Sequence, residues 1–520
     1  MREGKSRNTK RRKILKGVAL SIAAGLVGCT DSNRDRDGDR NNESNANTDD
    51  DDATTQRLRP SREHPRYWEY GGESRLLLGA TDTDSLFQWG KNPDKLRAHL
   101  DELENAGGDY VRNTMNSRRE DEGDVHPFEQ RENGQYDLNE WNEEFWDRFK
   151  LLLSETAQRD IIVQIELWDG HNYQSRTDDA EGFAEWDRHP MNPKNNVNYT
   201  AEETTLPKKW TRGYQNETHP VLLTIPSEND DPTALAVQER FIAEVLDHAF
   251  EYDHVLYVIQ NESWAPQAWS NYWAEFVREN AAERDEEVYL GDMRRYSPDV
   301  SPVLEHGFDF AELSQSGELV GQTHFDEIAS GLQKLREQPV PANSVKQYGS
   351  NEVEWTDGAE EGIARLWRSV FAGQAAVRNH RPPYGIGLNA RAKNQIRSLR
   401  LVADLVDVME SQPHQHVRQL LSHRGPDECY LMADPGRIYA VYFPSGGQVR
   451  LDISAMEGPG YVRWLETDTV EWDGDWTEAQ HVDDGTVELN AYGYHWVVNS
   501  PENHWVAESP KRHWVAIVAN

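Results

Sequence analysis

The chain has 520 residues with 91 acidic and 55 basic side chains, giving a formal net charge of −36. Such a surface repels phosphate, which excludes nucleic acid as a partner, and a chain of this length can bury a large core and carry a second domain. It has only two cysteines, Cys29 and Cys429, so packing and not a disulfide framework must supply its stability.

The first residues read as an address. Arg11-Arg12 followed by Lys13-Ile14-Leu15-Lys16 is similar to a twin-arginine export signal, and the apolar stretch 17–28 is too short to span a bilayer securely. Leu26-Val27-Gly28-Cys29 resembles a lipoprotein processing box, making Cys29 the expected lipidated residue; an uncleaved membrane anchor is the alternative. The expected divisions are a signal over 1–29, an acidic tether over 30–60, a barrel over 61–413 and a β-domain over 414–520. Residues 30–60 have almost no apolar side chains with which to order themselves. Lysine supplies 14 of the 55 basic residues, and this acidic, lysine-poor composition resembles proteins of salt-loving archaea. In molar salt, charge repulsion is screened within about 3 Å.

From residue 75 onward, apolar runs alternate with helical periodicity. Strands are expected at 75–80, 110–114, 161–167, 255–259, 288–292, 308–314, 345–348 and 384–388. Helices are expected at 93–106, 141–156, 234–250, 269–284, 325–338, 358–378 and 392–410. A polar insertion over 172–232 suits an ordered loop on one rim. Eight strand-then-helix units fit a (β/α)8 barrel better than a doubly wound sheet, because no glycine-rich phosphate loop follows the first strand. Beyond about residue 414, short alternating strands predict an antiparallel β-sandwich. Trp496, Trp505 and Trp514 within it are either sugar platforms or packing.

The chemistry is expected at two strand ends. The run 255–259 stops at Gln260, Asn261 and Glu262, while 348–355 reads YGSNEVEW and offers Glu352. Two carboxylates on different strands can divide the work of glycosidic cleavage, one donating a proton and the other remaining ionised.

These motifs resemble clan A glycoside hydrolases, specifically a family 5-like, cellulase-like group with a small C-terminal β-domain. The resemblance implies Glu262 as acid/base and Glu352 as nucleophile in a retaining double displacement. It also implies that Arg112 orients the nucleophile and that Asn261 binds the sugar 2-hydroxyl. Glu354 competes with Glu352, being two positions further on. Gln315 or His324 is expected near the nucleophile, and His171 and Glu166 near the cleft, although a salt bridge to an arginine serves equally for Glu166. Trp168 and Trp264 are stacking candidates, with packing as the alternative. No cofactor or metal is called for, and carbohydrate is the expected partner, with the membrane reached only through the lipid anchor. An inactive carbohydrate-binding or adhesion protein on the same scaffold is the competing function.

Overall fold

A computed structural model describes residues 57–117, 123–173, 185–210, 218–294, 299–316, 319–424, 428–483, 485–491, 496–498, 505–507 and 513–520. The expected signal, tether and Cys29 lie outside them. Among the described residues no helix is long and apolar enough to cross a membrane.

Eight parallel strands form the barrel: β1 (Leu77–Ala80), β2 (Tyr110–Thr114), β3 (Ile162–Asp169), β4 (Val255–Ser263), β5 (Leu290–Arg294), β6 (Ala311–Glu312), β7 (Ala342–Gln347) and β8 (Ala376–Asn379). Their order is β5-β4-β3-β2-β1-β8-β7-β6. The ring nearly closes where the Asp309 backbone NH, just before β6, donates to the Leu290 carbonyl of β5 (2.9 Å).

A helix follows each strand: α1 (Pro93–Asn105), α2 (Glu143–Ala157), α3 (Pro232–Ala249), α4 (Gln267–Ala282), α5 (Ser301–His306), α6 (Gly321–Lys334), α7 (Gly358–Ala372) and α8 (Ala390–Val406). Asn92, Asn142, Asp231 and Asn389 cap α1, α2, α3 and α8 by accepting from backbone NH groups in the first turn. The helices bury apolar stripes against the strands, among them Leu96, Leu100, Phe145, Phe149, Trp269 and Trp273. Each such burial contributes about 1.5–3 kcal/mol.

The expected eighth strand at 384–388 is instead a turn, and the strand lies eight residues earlier. Gly373, in the left-handed region at φ +92°, ends α7 before the expected 378. Ala376 then pairs with both Asn343 of β7 and Leu77 of β1. β4 runs past the apolar segment through Glu262, because Asn261 still pairs with Asp169 of β3.

The barrel interior is polar. Gln164 donates to Glu312 (2.9 Å), Asn343 donates to Gln164 (3.1 Å), and Tyr110 also donates to Gln164. Burial pushes the Glu312 carboxyl up to about 7. Trp68, on an antiparallel hairpin preceding β1, closes the floor by donating its indole NH to Asn343 (2.9 Å).

The C-terminal region holds a five-stranded and a four-stranded antiparallel sheet. The period-2 pattern explains why both faces of the larger sheet are buried. Tyr430, Met432, Ala440, Tyr442, Val515 and Ile517 join the barrel core, whereas Leu431, Ala433, Val441, Phe443, Ala516 and Val518 join the core between the sheets. Trp367 of α7 stacks on Tyr442 with ring centroids 5.0 Å apart. Trp514 is buried edge-on to Trp464, the packing alternative for that residue. The side chains of Trp496 and Trp505 lie outside the described residues.

Candidate active site

The strands β3 and β4 end side by side at the barrel mouth. Consecutive strand residues point to opposite faces, yet Asn261 and Glu262 both reach the mouth. Glu262 achieves this with a left-handed backbone, φ +49°, a conformation that costs about 1–3 kcal/mol and gathers at functional sites. The glycine after β3 makes room for it: a Cβ on Gly170 would sit 2.5 Å from the Glu262 carbonyl oxygen.

Four side chains converge on the Glu262 carboxylate. Lys346 of β7 donates to Oε1, as do Gln315 (3.2 Å) and the Tyr348 hydroxyl (3.3 Å). His171 Nε2 lies 3.2 Å from Oε2. Lys346 also donates to Asn261 Oδ1 (2.6 Å), while Asn261 Nδ2 donates to Asp169 Oδ1 (2.8 Å). Asp169 additionally accepts from Asn116 and from the His171 backbone NH (3.0 Å).

Burial alone would raise the Glu262 carboxyl. The Lys346 charge and the His171 hydrogen bond outweigh it, holding Glu262 well below the usual glutamate range. Its side chain is buried, with only 10% exposure left.

Beneath it, Arg112 is fully buried. It holds Glu166 through two hydrogen bonds, one of them Nε to Oε1 at 2.6 Å, and Asp84 through Nη1. Asp84 also accepts from Arg381 (2.7 Å). The salt-bridge alternative for Glu166 therefore matches its geometry, and the guanidinium of Arg112 faces these two acids and not Glu352.

Of the expected site residues, the structure brings together Glu262, Asn261, His171 and Gln315. Glu352 is exposed on the loop after β7. Its backbone NH donates to Ser350 Oγ (3.1 Å), and no hydrogen bond or ion pair joins its carboxylate to Glu262. Glu354 is exposed and opens the next short turn.

His324 is fully buried inside α6 and makes no contact with the Glu262 group; burial and the nearby charges of Arg368 and Arg365 hold its ring neutral. No hydrogen bond or ion pair joins it to Glu262, so it is not among the side chains gathered there. Trp168 is buried against Trp269, Trp273 and Phe241, with centroids 5.0–5.9 Å apart, and so is mainly packing. Trp264 is half-buried, and its carbonyl accepts from the Thr218 hydroxyl of the insertion (2.8 Å).

A cleft lies beside this group, lined by Asn116, Trp168, Asp169, Tyr173, His189 and Phe241 among others. Asp169 belongs to both cleft and carboxylate group. With a volume of only about 30 Å³ the cleft has room for a water and not for a sugar ring, and Glu262 does not line it.

Sequence reasoning missed Lys346, Tyr348 and Asp169 as members of the group. One signal was present: a lysine directly after Val345 in an expected strand of a lysine-poor chain. Glu63, His64 and Glu410 bring a possible metal ligand each within 4.8 Å of one another, but they are not part of this group.

No protein-family model matches the sequence, and no curated protein matches it. Solved structures do. A glycoside hydrolase family 5 protein from Bacteroides vulgatus superposes with a TM-score of 0.57 at 14% identity, covering 90% of this chain and 94% of that one. A second, described as a glycoside hydrolase, gives 0.57 at 14% identity over 90% of this chain and 98% of its own. At these identities the likeness is one of fold: this chain shares the barrel and β-domain architecture of glycoside hydrolases.

Proposed function

We propose that the protein is a glycoside hydrolase acting on an oligo- or polysaccharide at the barrel mouth, with Glu262 as its catalytic carboxylate. The observation that carries this reading is the strained Glu262, placed at the C-terminal end of β4 and held by groups from beyond β3 and β6 and from β7. A screen of β-glycans at molar salt, read by reducing ends and product size, tests it. The proposed course is a retaining double displacement that uses Glu352 or Glu354 as second carboxyl. A Glu352→Gln variant that keeps full turnover would remove Glu352 from it.

Gly170 supplies a sharper check. An alanine there drives its Cβ against the Glu262 carbonyl. We expect Gly170→Ala to lower kcat by up to about 10²-fold, as misplacement of a reacting group does, with the fold retained by circular dichroism. Unchanged kcat would show that the Glu262 backbone position does not matter.

The competing reading, a non-catalytic carbohydrate-binding or adhesion protein, draws on the exposed Glu352 carboxylate that no bond ties to Glu262. Glycan binding without turnover across the screen would favour it. In either case we propose surface anchoring through Cys29. Cys29→Ser is expected to move the protein from the membrane fraction to the medium; retention in the membrane would sink the lipid anchor.

A further inference from the structure

We propose that Lys346 is a positioning residue that holds Glu262 as an anion, so that Glu262 meets the sugar as the charged partner of the reaction and not as its proton donor. This rests on the reading of Glu262 as the catalytic carboxylate and deepens it. The strand expected to lead to a second carboxylate delivers an ammonium to the mouth instead.

Alternation from the inward Asn343 would turn Lys346 outward, but a register shift between Ser344 and Gln347 re-aims it. Its Nζ then contacts both Glu262 Oε1 and Asn261 Oδ1 (2.6 Å), with the side chain only 2% exposed. A general acid must keep its proton at working pH, which requires burial or a like charge to dominate its surroundings. Here burial is the largest single effect, but the contacting Lys346 charge and the His171 hydrogen bond together outweigh it.

The groups facing Glu262 are Lys346 and Tyr348 from β7 and the loop after it, His171 from beyond β3 and Gln315 from beyond β6. Asp169 stands behind Asn261, and Arg112 and Glu166 influence Lys346.

The test is an isotope-edited infrared titration of the Glu262 carboxylate in the whole protein, with the band assigned by its loss in Glu262→Gln. In the wild type the band should persist below about pH 4, beneath the ordinary glutamate value. Lys346→Met should raise the midpoint by about 1–3 pH units, the usual effect of removing a contacting opposite charge. Lys346→Arg should restore it.

A wild-type carboxyl protonated at pH 6, or a midpoint unmoved in Lys346→Met, would overturn the proposal. If Lys346→Met does not fold, the wild-type titration alone decides. No turnover is needed for this readout, so a failed glycan screen would remove the hydrolase reading while leaving the ionisation result standing. On an active glycan, the acid limb of kcat/KM in Lys346→Met should move upward with the titration midpoint.

Discussion

Glu262→Gln is expected to abolish sugar release, lowering kcat by roughly 10³-fold or more, within the range that positioned acid–base and nucleophilic groups supply. The substitution is nearly isosteric, and the amide can still accept from Lys346, Gln315 and Tyr348 through its oxygen. Substrate affinity, measured by calorimetry on whichever glycan the screen identifies, should therefore change little. The amide cannot bond to an anomeric carbon, or face its developing positive charge, as a carboxylate does. The loss should thus appear in kcat. Retention of more than a tenth of wild-type turnover would move the chemistry elsewhere in the barrel.

The largest stability effect should come from below the mouth. Arg112→Leu strips Glu166 of its paired hydrogen bonds in a site without water access, whereas Asp84 keeps Arg381. Breaking a buried pair from one side costs about 3–5 kcal/mol, because the remaining charge is left uncompensated. A urea midpoint at constant molar salt should fall accordingly. Replacing both partners, Arg112→Leu with Glu166→Leu, should recover most of the loss, since an apolar pair of similar volume carries no stranded charge. A single-variant loss below about 1 kcal/mol, in the range of a surface pair, would show that Arg112 does not support the barrel in this way.

Much of this architecture is legible in the amino-acid sequence. Hydrophobic runs flanked by helical periodicity placed seven of the eight barrel strands, because strand and helix periods are local properties of the chain. The eighth was displaced because Ala376-Val377 is too short an apolar run to announce itself, and the end of α7 at Gly373 depended on one backbone angle. Glu262 and Asn261 were visible as polar residues closing an apolar run. His171 and Gln315 were visible too, though only as residues near strand ends.

The amino-acid order alone determined that this chain builds a parallel barrel followed by an antiparallel domain, that its surface is strongly acidic, and that Asn261 and Glu262 stand at a strand end. The tertiary structure decided which side chains share the mouth. The left-handed turn of Glu262, the register shift before Lys346 and the commitment of Arg112 to Glu166 and Asp84 each depend on contacts between strands that are distant in sequence. Local periodicity cannot encode such contacts. A one-residue change of register sends a side chain to the opposite face, and only the closed ring of strands selects which face that is.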